Sequence, residues 1–156
     1  MTRNERQSLC IKRWLANKGK GVIIAGTGFG KTKLGTDIIK GILNKDPTKT
    51  VLIVVPTITL QEQWKYKLDS LGFGLNCTVE VINTVITKEW QYDLLIIDEL
   101  HLVFADTFKQ VFDKVKYKWI LGLTATLERL DGKEEIIKRY APPCDEVTIK
   151  DAEKNG

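Results

Sequence analysis

Eight residues near the start of the chain have the composition of a phosphate-binding loop: Ala25, Gly26, Thr27, Gly28, Phe29, Gly30, Lys31 and Thr32. They follow an apolar run at residues 21–24 and precede a helical pattern at 34–43. Glycines let the backbone turn tightly and direct its N–H groups inward, and the helix N-terminus adds partial positive charge. Lys31 would reach the β- and γ-phosphates of a nucleotide, and the Thr32 hydroxyl would ligate Mg²⁺. The alternative is a glycine-rich strand–helix connection without a ligand.

Two adjacent carboxylates follow a second apolar run. Residues 94–97 lead directly into Asp98 and Glu99. A carboxylate at the end of a buried strand is costly unless a cation or hydrogen bonds satisfy it. Mg²⁺ held by Thr32 and a nucleotide would satisfy Asp98, which would orient the metal through water. Glu99 is then placed to orient or deprotonate an attacking water. The alternative is an acidic helix N-terminus.

A weaker signal follows the next apolar run, where Thr124, Ala125 and Thr126 end the expected strand. Their two hydroxyls could bridge Glu99 or His101 to whatever packs above the sheet. His101 is the single histidine of the chain. Its position three residues after Asp98 makes it a candidate for the same site, whereas alone it would suggest a surface or capping residue.

Two further strand ends carry hydroxyl residues. Pro56 and Thr57 follow the apolar run at residues 51–55, and Asn83 and Thr84 follow the run at 79–82. Thr57 can cap the next helix and offer backbone N–H groups to a phosphate of another chain. Helix capping alone is the alternative for Thr57, and Thr84 is a weaker candidate of the same kind.

These residues require a scaffold that brings strand ends together. Apolar runs alternate with helical patterns, which predicts an α/β fold with a mainly parallel central sheet flanked by helices. We expect strands at residues 21–25, 50–55, 79–82, 93–97, 117–123 and 146–149. We expect helices at residues 4–17, 34–43, 58–71, 103–115 and 133–140. Residues 84–90 carry no assignable pattern. Ligands of such sheets bind at the carboxyl ends of the strands, where every candidate residue above falls.

Composition sets the broad class. The 156 residues are 43% hydrophobic and 28% charged, as in a soluble globular domain with one core. No apolar run approaches the roughly 20 residues of a membrane span. Three scattered cysteines without metal-ligand spacing predict a reducing, intracellular compartment. A net charge of +4 is compatible with nucleic acid but is weak evidence for it.

Together these residues resemble the first RecA-like domain of a superfamily 2 helicase or translocase. Within that superfamily the chain is similar to the DEAH-like branch that includes type III restriction subunits and phage and repair helicases. The motifs run in the family's order: motif I at residues 25–32, Ia at 56–64, Ib at 83–84, II at 98–101 and III at 124–126. Two positions depart from the usual pattern, since Ala25 replaces glycine in motif I and Leu100 replaces alanine in motif II.

The resemblance implies a three-layer P-loop NTPase fold with ATP and Mg²⁺ as cofactors. It implies that residues 25–32 bind phosphate, that Thr32 and Asp98 hold Mg²⁺, and that Glu99 prepares water. His101, Thr124, Ala125 and Thr126 would couple the nucleotide to a partner domain. It also implies that the strand at residues 117–123 lies between those at 21–25 and 93–97. Gln7 stands at the distance upstream of Lys31 that is usual for an adenine-reading glutamine, although Asn4 replaces the usual arginine.

The family uses two RecA-like domains, and the second supplies arginine fingers that this sequence does not match. We therefore expect residues 1–149 to form the first domain and residues 150–156 to begin a linker. The expected partners are a second RecA-like domain and nucleic acid, DNA in preference to RNA, contacted through Pro56, Thr57 and Thr84, with no membrane. The expected localisation is cytoplasmic, and a phage or viral origin is compatible. The alternatives are an ATP-binding regulatory module without unwinding and another P-loop enzyme such as a small kinase.

Overall fold

The computed structural model describes residues 2–26, 29–125 and 132–147. Its helices are α1 (Arg3–Ala16), α2 (Lys31–Lys45), α3 (Ile58–Ser70), α4 (Ile82–Val85), α5 (Ala105–Lys114) and α6 (Glu134–Tyr140), with a 3₁₀ turn at Leu100–Leu102. Its strands are β1 (Lys20–Ala25), β2 (Val51–Val55), β3 (Cys77–Val81), β4 (Trp90–Gln91), β5 (Leu94–Asp98), β6 (Val115–Lys116), β7 (Trp119–Thr124) and β8 (Pro143–Val147).

Six strands form one sheet in the order β3-β2-β5-β7-β1-β8, and each neighbouring pair is parallel. Strands β4 and β6 form a separate short pair. The predicted parallel α/β fold is therefore confirmed. So is the predicted strand order, because β7 lies between β1 and β5.

The sheet is covered on both faces, which makes the three layers. Successive side chains of a strand point to opposite faces, so β1 sends Ile23 into one core and Val22 into the other. The first core packs against α1, α2 and α3, and the second packs against α4, α5 and α6. Burial on both faces explains why the central strands are continuous apolar runs.

The start of β8 and the end of β3 differ from the sequence prediction. The last strand begins at Pro143 rather than Glu146, and residues 148–149 lie outside the described part of the chain. Proline is tolerated here because it is the first residue of a strand at the edge of the sheet. Asn83 and Thr84 do not end a strand directly, since β3 stops at Val81 and both residues belong to the short helix α4.

In the described ranges no helix is both long and apolar enough to cross a bilayer. The cysteines Cys10, Cys77 and Cys144 are free thiols. Burial raises the pKa of the Cys77 thiol to about 12, which keeps it protonated and unreactive at neutral pH.

Candidate functional site

The parallel sheet brings three candidate strand ends to one edge. Strands β1, β7 and β5 are consecutive neighbours and end at Ala25, Thr124 and Asp98. Ile24 is paired with Thr124, and Asp98 with Leu123. The motifs that the sequence spreads over 100 residues are therefore adjacent in the fold.

The loop after β1 is anchored by one aromatic side chain. Phe29 is fully buried in the core, and its N–H donates to the Gly26 carbonyl at 3.2 Å. Gly30 has a φ of 89°, in the left-handed region that favours glycine, and immediately precedes α2. Lys31 and Thr32 then open the helix, where its first N–H groups are unpaired within the helix. Thr27 and Gly28 lie outside the described residues.

Gln7 lies against this loop rather than in open solvent. Its side chain is buried, and Nε2 donates to the Phe29 carbonyl at 2.8 Å. A Cβ at residue 30 would lie 2.8 Å from the same nitrogen, so the glycine also makes room for the contact. The Gln7 Oε1 atom is buried and has no hydrogen-bond partner among the described residues. Gln7 therefore supports the loop and keeps one acceptor open.

Asp98 is a buried carboxylate with one engaged oxygen. Its Oδ2 accepts a hydrogen bond from Trp64 Nε1 at 2.8 Å, whereas Oδ1 is buried and lacks a partner within the described ranges. Burial raises the pKa of Asp98, and the Trp64 bond, Lys31 and His101 oppose that shift. A buried oxygen without a partner is costly unless a ligand satisfies it. With the Thr32 hydroxyl at the start of α2, this oxygen is a suitable donor for Mg²⁺, which prefers oxygen ligands.

Glu99 is held between two partners by an unusual backbone. Its φ of 52° and ψ of 43° place a non-glycine residue in the left-handed region, at a cost of order 1–2 kcal/mol. The turn lets its carboxylate form an ion pair with Lys31 Nζ, and Oε2 lies 3.4 Å from His101 Nε2. Burial lowers the pKa of Lys31, and the nearby Asp98 opposes that shift. Strained backbone of this kind concentrates at functional sites.

His101 connects Glu99 to the end of β7. Its Nδ1 lies 2.9 Å from the Thr124 hydroxyl, which is fully buried. When His101 is neutral with its proton on Nε2, Nε2 can donate a hydrogen bond to Glu99, and Nδ1 can accept one from the Thr124 hydroxyl. Thr124 thus contacts His101, and the expected bridge from there to whatever packs above the sheet stays a prediction. Ala125 follows it half-buried, and Thr126 lies outside the described residues.

The leucine of motif II fills a space that its neighbour leaves. Leu100 is 1% exposed, and a Cβ at Gly122 would lie 2.8 Å from Leu100 Cδ2. Gly122 in β7 therefore allows the 3₁₀ turn to pack over the sheet. The departure from alanine at position 100 is accommodated in the core and leaves the carboxylates in reach of Lys31.

The other two candidates are Thr57, which follows β2, and Thr84, which lies in the short helix α4 after β3. Thr57 is exposed and caps α3, because its Oγ1 accepts the Leu60 N–H at 3.2 Å, and Pro56 beside it is half-buried. Thr84 is exposed in α4, and its carbonyl accepts the Thr87 hydroxyl at 2.6 Å. Capping by Thr57 is confirmed, and both residues remain accessible.

Sequence reasoning missed two contacts. Motif Ia includes Trp64, but the contact of Trp64 with Asp98 was not predicted, although a buried indole N–H and a buried carboxylate each require a partner. It also missed Arg6, whose guanidinium donates to both oxygens of Asp145 at 2.6 and 2.9 Å. These two residues are 139 positions apart, and no local pattern signals such a pair.

A family model described as "Type III restriction enzyme, res subunit" matches residues 1–90 and 87–129. The chain belongs to this family. The matched ranges include the loop after β1, both carboxylates and the end of β7, so the family assignment and the geometry refer to the same edge of the sheet.

Two relatives whose names describe nucleic-acid motors match most of the chain. The "DNA 3'-5' translocase XPB2" of Sulfurisphaera tokodaii is 34% identical over 148 residues, covering 83% of this chain and 32% of its own length. The "Putative ATP-dependent RNA helicase QP509L" of African swine fever virus is 30% identical over 151 residues, covering 81% of this chain and 28% of its own length. The chain thus spans about a third of each relative or less.

Solved structures agree on the fold. The Type ISP restriction-modification enzyme LlaGI, solved in complex with a DNA substrate mimic, matches with a TM-score of 0.69 at 16% identity. The match covers 96% of this chain and 20% of that one. At this identity the likeness shows the shared fold alone.

Proposed function

We propose that this chain is the ATP-binding half of a nucleic-acid helicase or translocase. The observation that carries the proposal is the meeting of Lys31, Asp98 and Glu99 at the carboxyl edge of three neighbouring strands. A cation at a helix N-terminus, a buried carboxylate with an open oxygen and a second carboxylate beside them are the groups that phosphoryl transfer requires. The ATP dependence in the viral relative's name supports the same nucleotide.

Lys31 would hold phosphate by exchanging partners. In the structure its ammonium faces Glu99. The β- and γ-phosphates would compete for this cation and be held further by backbone N–H groups at the start of α2, in the loop that begins at Ala25. Glu99 would then lose its cationic partner and become available for another role.

Thr32 and Asp98 would hold Mg²⁺ between them and the nucleotide. When bound, the ion neutralises charge on the phosphates. The buried Asp98 Oδ1, which has no partner in the described part of the chain, supports this assignment. The raised pKa of Asp98 is consistent with a cation-binding carboxylate. Burial opposes ionisation of the carboxyl group, and a bound cation would offset that cost.

Glu99 would orient and deprotonate the attacking water once Lys31 has turned to phosphate. His101 keeps the Glu99 carboxylate in place and connects it to Thr124 at the end of β7. Through this connection His101, with the motif III residues Thr124, Ala125 and Thr126, would couple the nucleotide to a partner domain. Gln7 would read the adenine from its position against the loop.

A second RecA-like domain would complete the motor. Residues 1–149 would form the first domain, and residues 150–156 would begin the linker. The lengths of the two relatives support further domains, because the chain covers 32% and 28% of them. Arginine fingers are worth roughly 10³–10⁵ in rate in related phosphoryl-transfer systems, so this chain alone should hydrolyse ATP poorly.

Nucleic acid would bind at the edge that carries Pro56, Thr57 and Thr84. The exposed Thr57 and Thr84 and the net charge of +4 support this surface, and the archaeal relative's name favours DNA. One domain offers few phosphate contacts, so binding would be weak and salt-sensitive. The free cysteines support an intracellular location, and the similarity to a viral protein is compatible with a phage or viral origin.

The direct test is titration of the 156-residue chain with a fluorescent ATP analogue. Lys31→Ala should lower the affinity at least about tenfold, because it removes the phosphate-facing cation. Lys33→Ala is the matched control, since Lys33 is two residues away, half-exposed and paired with Asp37 at 2.8 Å. Equal affinities for both variants and the parent chain would reject the nucleotide site.

Turnover is tested in a chain joined to a second RecA-like domain. Glu99→Gln should keep Mg-ATP bound but stop hydrolysis, because it removes the base and retains the shape. Single-stranded DNA and RNA are added separately to measure stimulation. Strong stimulated turnover by the 156-residue chain alone would contradict the two-domain proposal.

A further inference from the structure

Trp64 uses its polar atom differently from two other tryptophans of the chain. The indole N–H groups of Trp14 and Trp90 donate to the backbone carbonyls of Ile120 and Val85 at 2.9 and 2.8 Å. Trp64 instead donates to the Asp98 carboxylate at 2.8 Å. The Trp64 side chain therefore satisfies a functional carboxylate rather than the backbone.

The Trp64 ring is fixed by its surroundings. Trp64 is 1% exposed, and a Cβ at Gly35 of α2 would lie 2.7 Å from its Cη2 atom. Glycine within a helix costs about 1 kcal/mol relative to alanine, and the indole explains why it is found here. The ring thus fills the space between α3 and the helix that Lys31 opens.

The bond makes the two oxygens of Asp98 unequal. Oδ2 is occupied by the indole, and Oδ1 is buried without a partner among the described residues. A carboxylate with one oxygen held cannot rotate freely about its Cβ–Cγ bond. The Oδ1 atom of Asp98 therefore points in one fixed direction.

We propose that Trp64 is a positioning residue for the metal site. Its N–H holds Asp98 Oδ2 so that Oδ1 is presented to Mg²⁺ or to a water of its shell. The inference rests on the proposed function. It gives α3 a role in holding Asp98 in addition to its packing in the core. The same helix is capped by Thr57, seven residues and about 10 Å away, so one rigid element connects the candidate nucleic-acid surface to the proposed metal ligand.

The first test measures Mg²⁺ affinity in the complex with a fluorescent ATP analogue, read by the anisotropy of the analogue. Trp64→Phe keeps most of the ring but removes the donor. We expect it to lower the Mg²⁺ affinity about tenfold, in the range found when hydrogen-bond partners of metal ligands are removed. Affinity for the analogue in EDTA should stay unchanged.

The matched control is Trp14→Phe. Trp14 is equally buried, and its indole also donates one hydrogen bond, but its partner is the Ile120 carbonyl. This variant should lose packing to a similar extent and keep the Mg²⁺ affinity of the parent chain. Equal weakening in both variants would show that Trp64 acts through packing alone and would overturn the inference.

A second measurement uses the parent chain and does not depend on the folding of any variant. The indole ¹H–¹⁵N resonance of Trp64 in the parent chain should shift when Mg²⁺ is added to the nucleotide complex, and that of Trp14 should stay in place. A Trp64 resonance that ignores Mg²⁺ would reject the proposal.

Asp98→Asn separates failure of this inference from failure of the proposed function. If Asp98→Asn weakens Mg²⁺ and Trp64→Phe does not, the metal site stands and the positioning role is wrong. If neither variant changes Mg²⁺ affinity, and Lys31→Ala binds the analogue normally, the proposed function itself is wrong.

Discussion

Asp98 and Asp145 occupy buried positions in strands of the same sheet, yet their surroundings are opposite. Both oxygens of Asp145 are engaged: Oδ2 accepts from Arg6 at 2.6 Å, and Oδ1 accepts from Arg6, Arg13 and the Glu146 N–H at 2.6–2.9 Å. Asp98 has one bonded oxygen and one buried oxygen without a partner in the described ranges.

The pKa values move in opposite directions for this reason. Burial alone would raise the pKa of Asp145, but hydrogen bonds from Arg6, Cys10 and Arg13 bring it down to about 2. Burial raises the pKa of Asp98, and its few partners do not cancel the effect. Asp145 is therefore a carboxylate whose charge the protein itself satisfies, whereas the described residues compensate the charge of Asp98 only in part.

The two carboxylates also connect different parts of the fold. Asp145 ties the edge strand β8 to α1, which supplies both arginines. Asp98 ends β5 beside β7, and its carboxylate is bonded to Trp64 of α3. Burial alone therefore does not distinguish the proposed metal ligand Asp98 from Asp145, whereas the number of bonded oxygens does.

The largest effect should come from removing the satisfied charge. Asp145→Asn keeps the shape but takes away the carboxylate that faces the buried Arg6 guanidinium, and it should lower the free energy of unfolding by about 3 kcal/mol. Urea denaturation measures it. Asp98→Asn is the control and should raise the same free energy by about 1 kcal/mol, because it removes a charge that burial opposes. Equal losses in both variants would erase the comparison.

Acid should affect the two carboxylates with opposite signs. The pKa of Asp145 is lowered to about 2, so its stabilisation is present above the unfolded value near 4 and is lost as pH falls toward 2. This amounts to about 2 kcal/mol. The pKa of Asp98 is raised, so its contribution is fully present below the unfolded value and is lost as pH rises through the folded one.

Denaturation between pH 6 and pH 2 checks these signs. The parent chain should lose stability in acid, Asp145→Asn should show a shallower loss, and Asp98→Asn should show a steeper one. An acid profile that Asp145→Asn leaves unchanged would mean that Asp145 is not held ionised by α1.

The metal dependence should change in only one of the two variants. Asp98→Asn should lower the Mg²⁺ affinity at least about tenfold in the complex with a fluorescent ATP analogue. A tenfold change corresponds to about 1.4 kcal/mol of binding free energy. The physical reason is that the amide carries no charge for the cation. Asp145→Asn, measured well below its unfolding transition, should bind Mg²⁺ as the parent chain does. A loss in both variants would indicate that the edge strand controls the site.

Much of the fold could be predicted because its signals are local. Apolar runs at β1, β2, β5 and β7 identified the buried strands, and their alternation with helical patterns identified the parallel sheet. The direction of parallel strands then placed the candidate residues at one edge. The start of β8 was misplaced because it is a short edge strand, paired on one side by β1 alone, with only a partial apolar pattern.

The site was predicted less completely. The loop and the carboxylates were identified because their residue types and spacing carry the chemistry. The Trp64–Asp98 contact, 34 residues apart, and the pairing of Arg6 with Asp145 depend on how α3 and α1 pack on the sheet. Likewise, the left-handed backbone at Glu99 has no sequence signal, because glutamate rarely adopts it.

The smallest effect should come from the outer arginine of the satisfied carboxylate. The Arg13 side chain is 48% exposed, whereas that of Arg6 is 10% exposed, and both donate to Asp145. Ion pairs with one solvent-exposed partner are worth about 0–1 kcal/mol, so Arg13→Ala should lower the free energy of unfolding by less than 1 kcal/mol. Arg6→Ala should cost several times more, because it would leave the buried Asp145 without its two-pronged donor. Urea denaturation of both variants, at low and high salt, makes the test, and the Arg13 contribution should shrink with salt. A large loss in Arg13→Ala would mean that Asp145 depends on all of its donors and is less securely satisfied than its hydrogen bonds indicate, which would narrow the difference from Asp98.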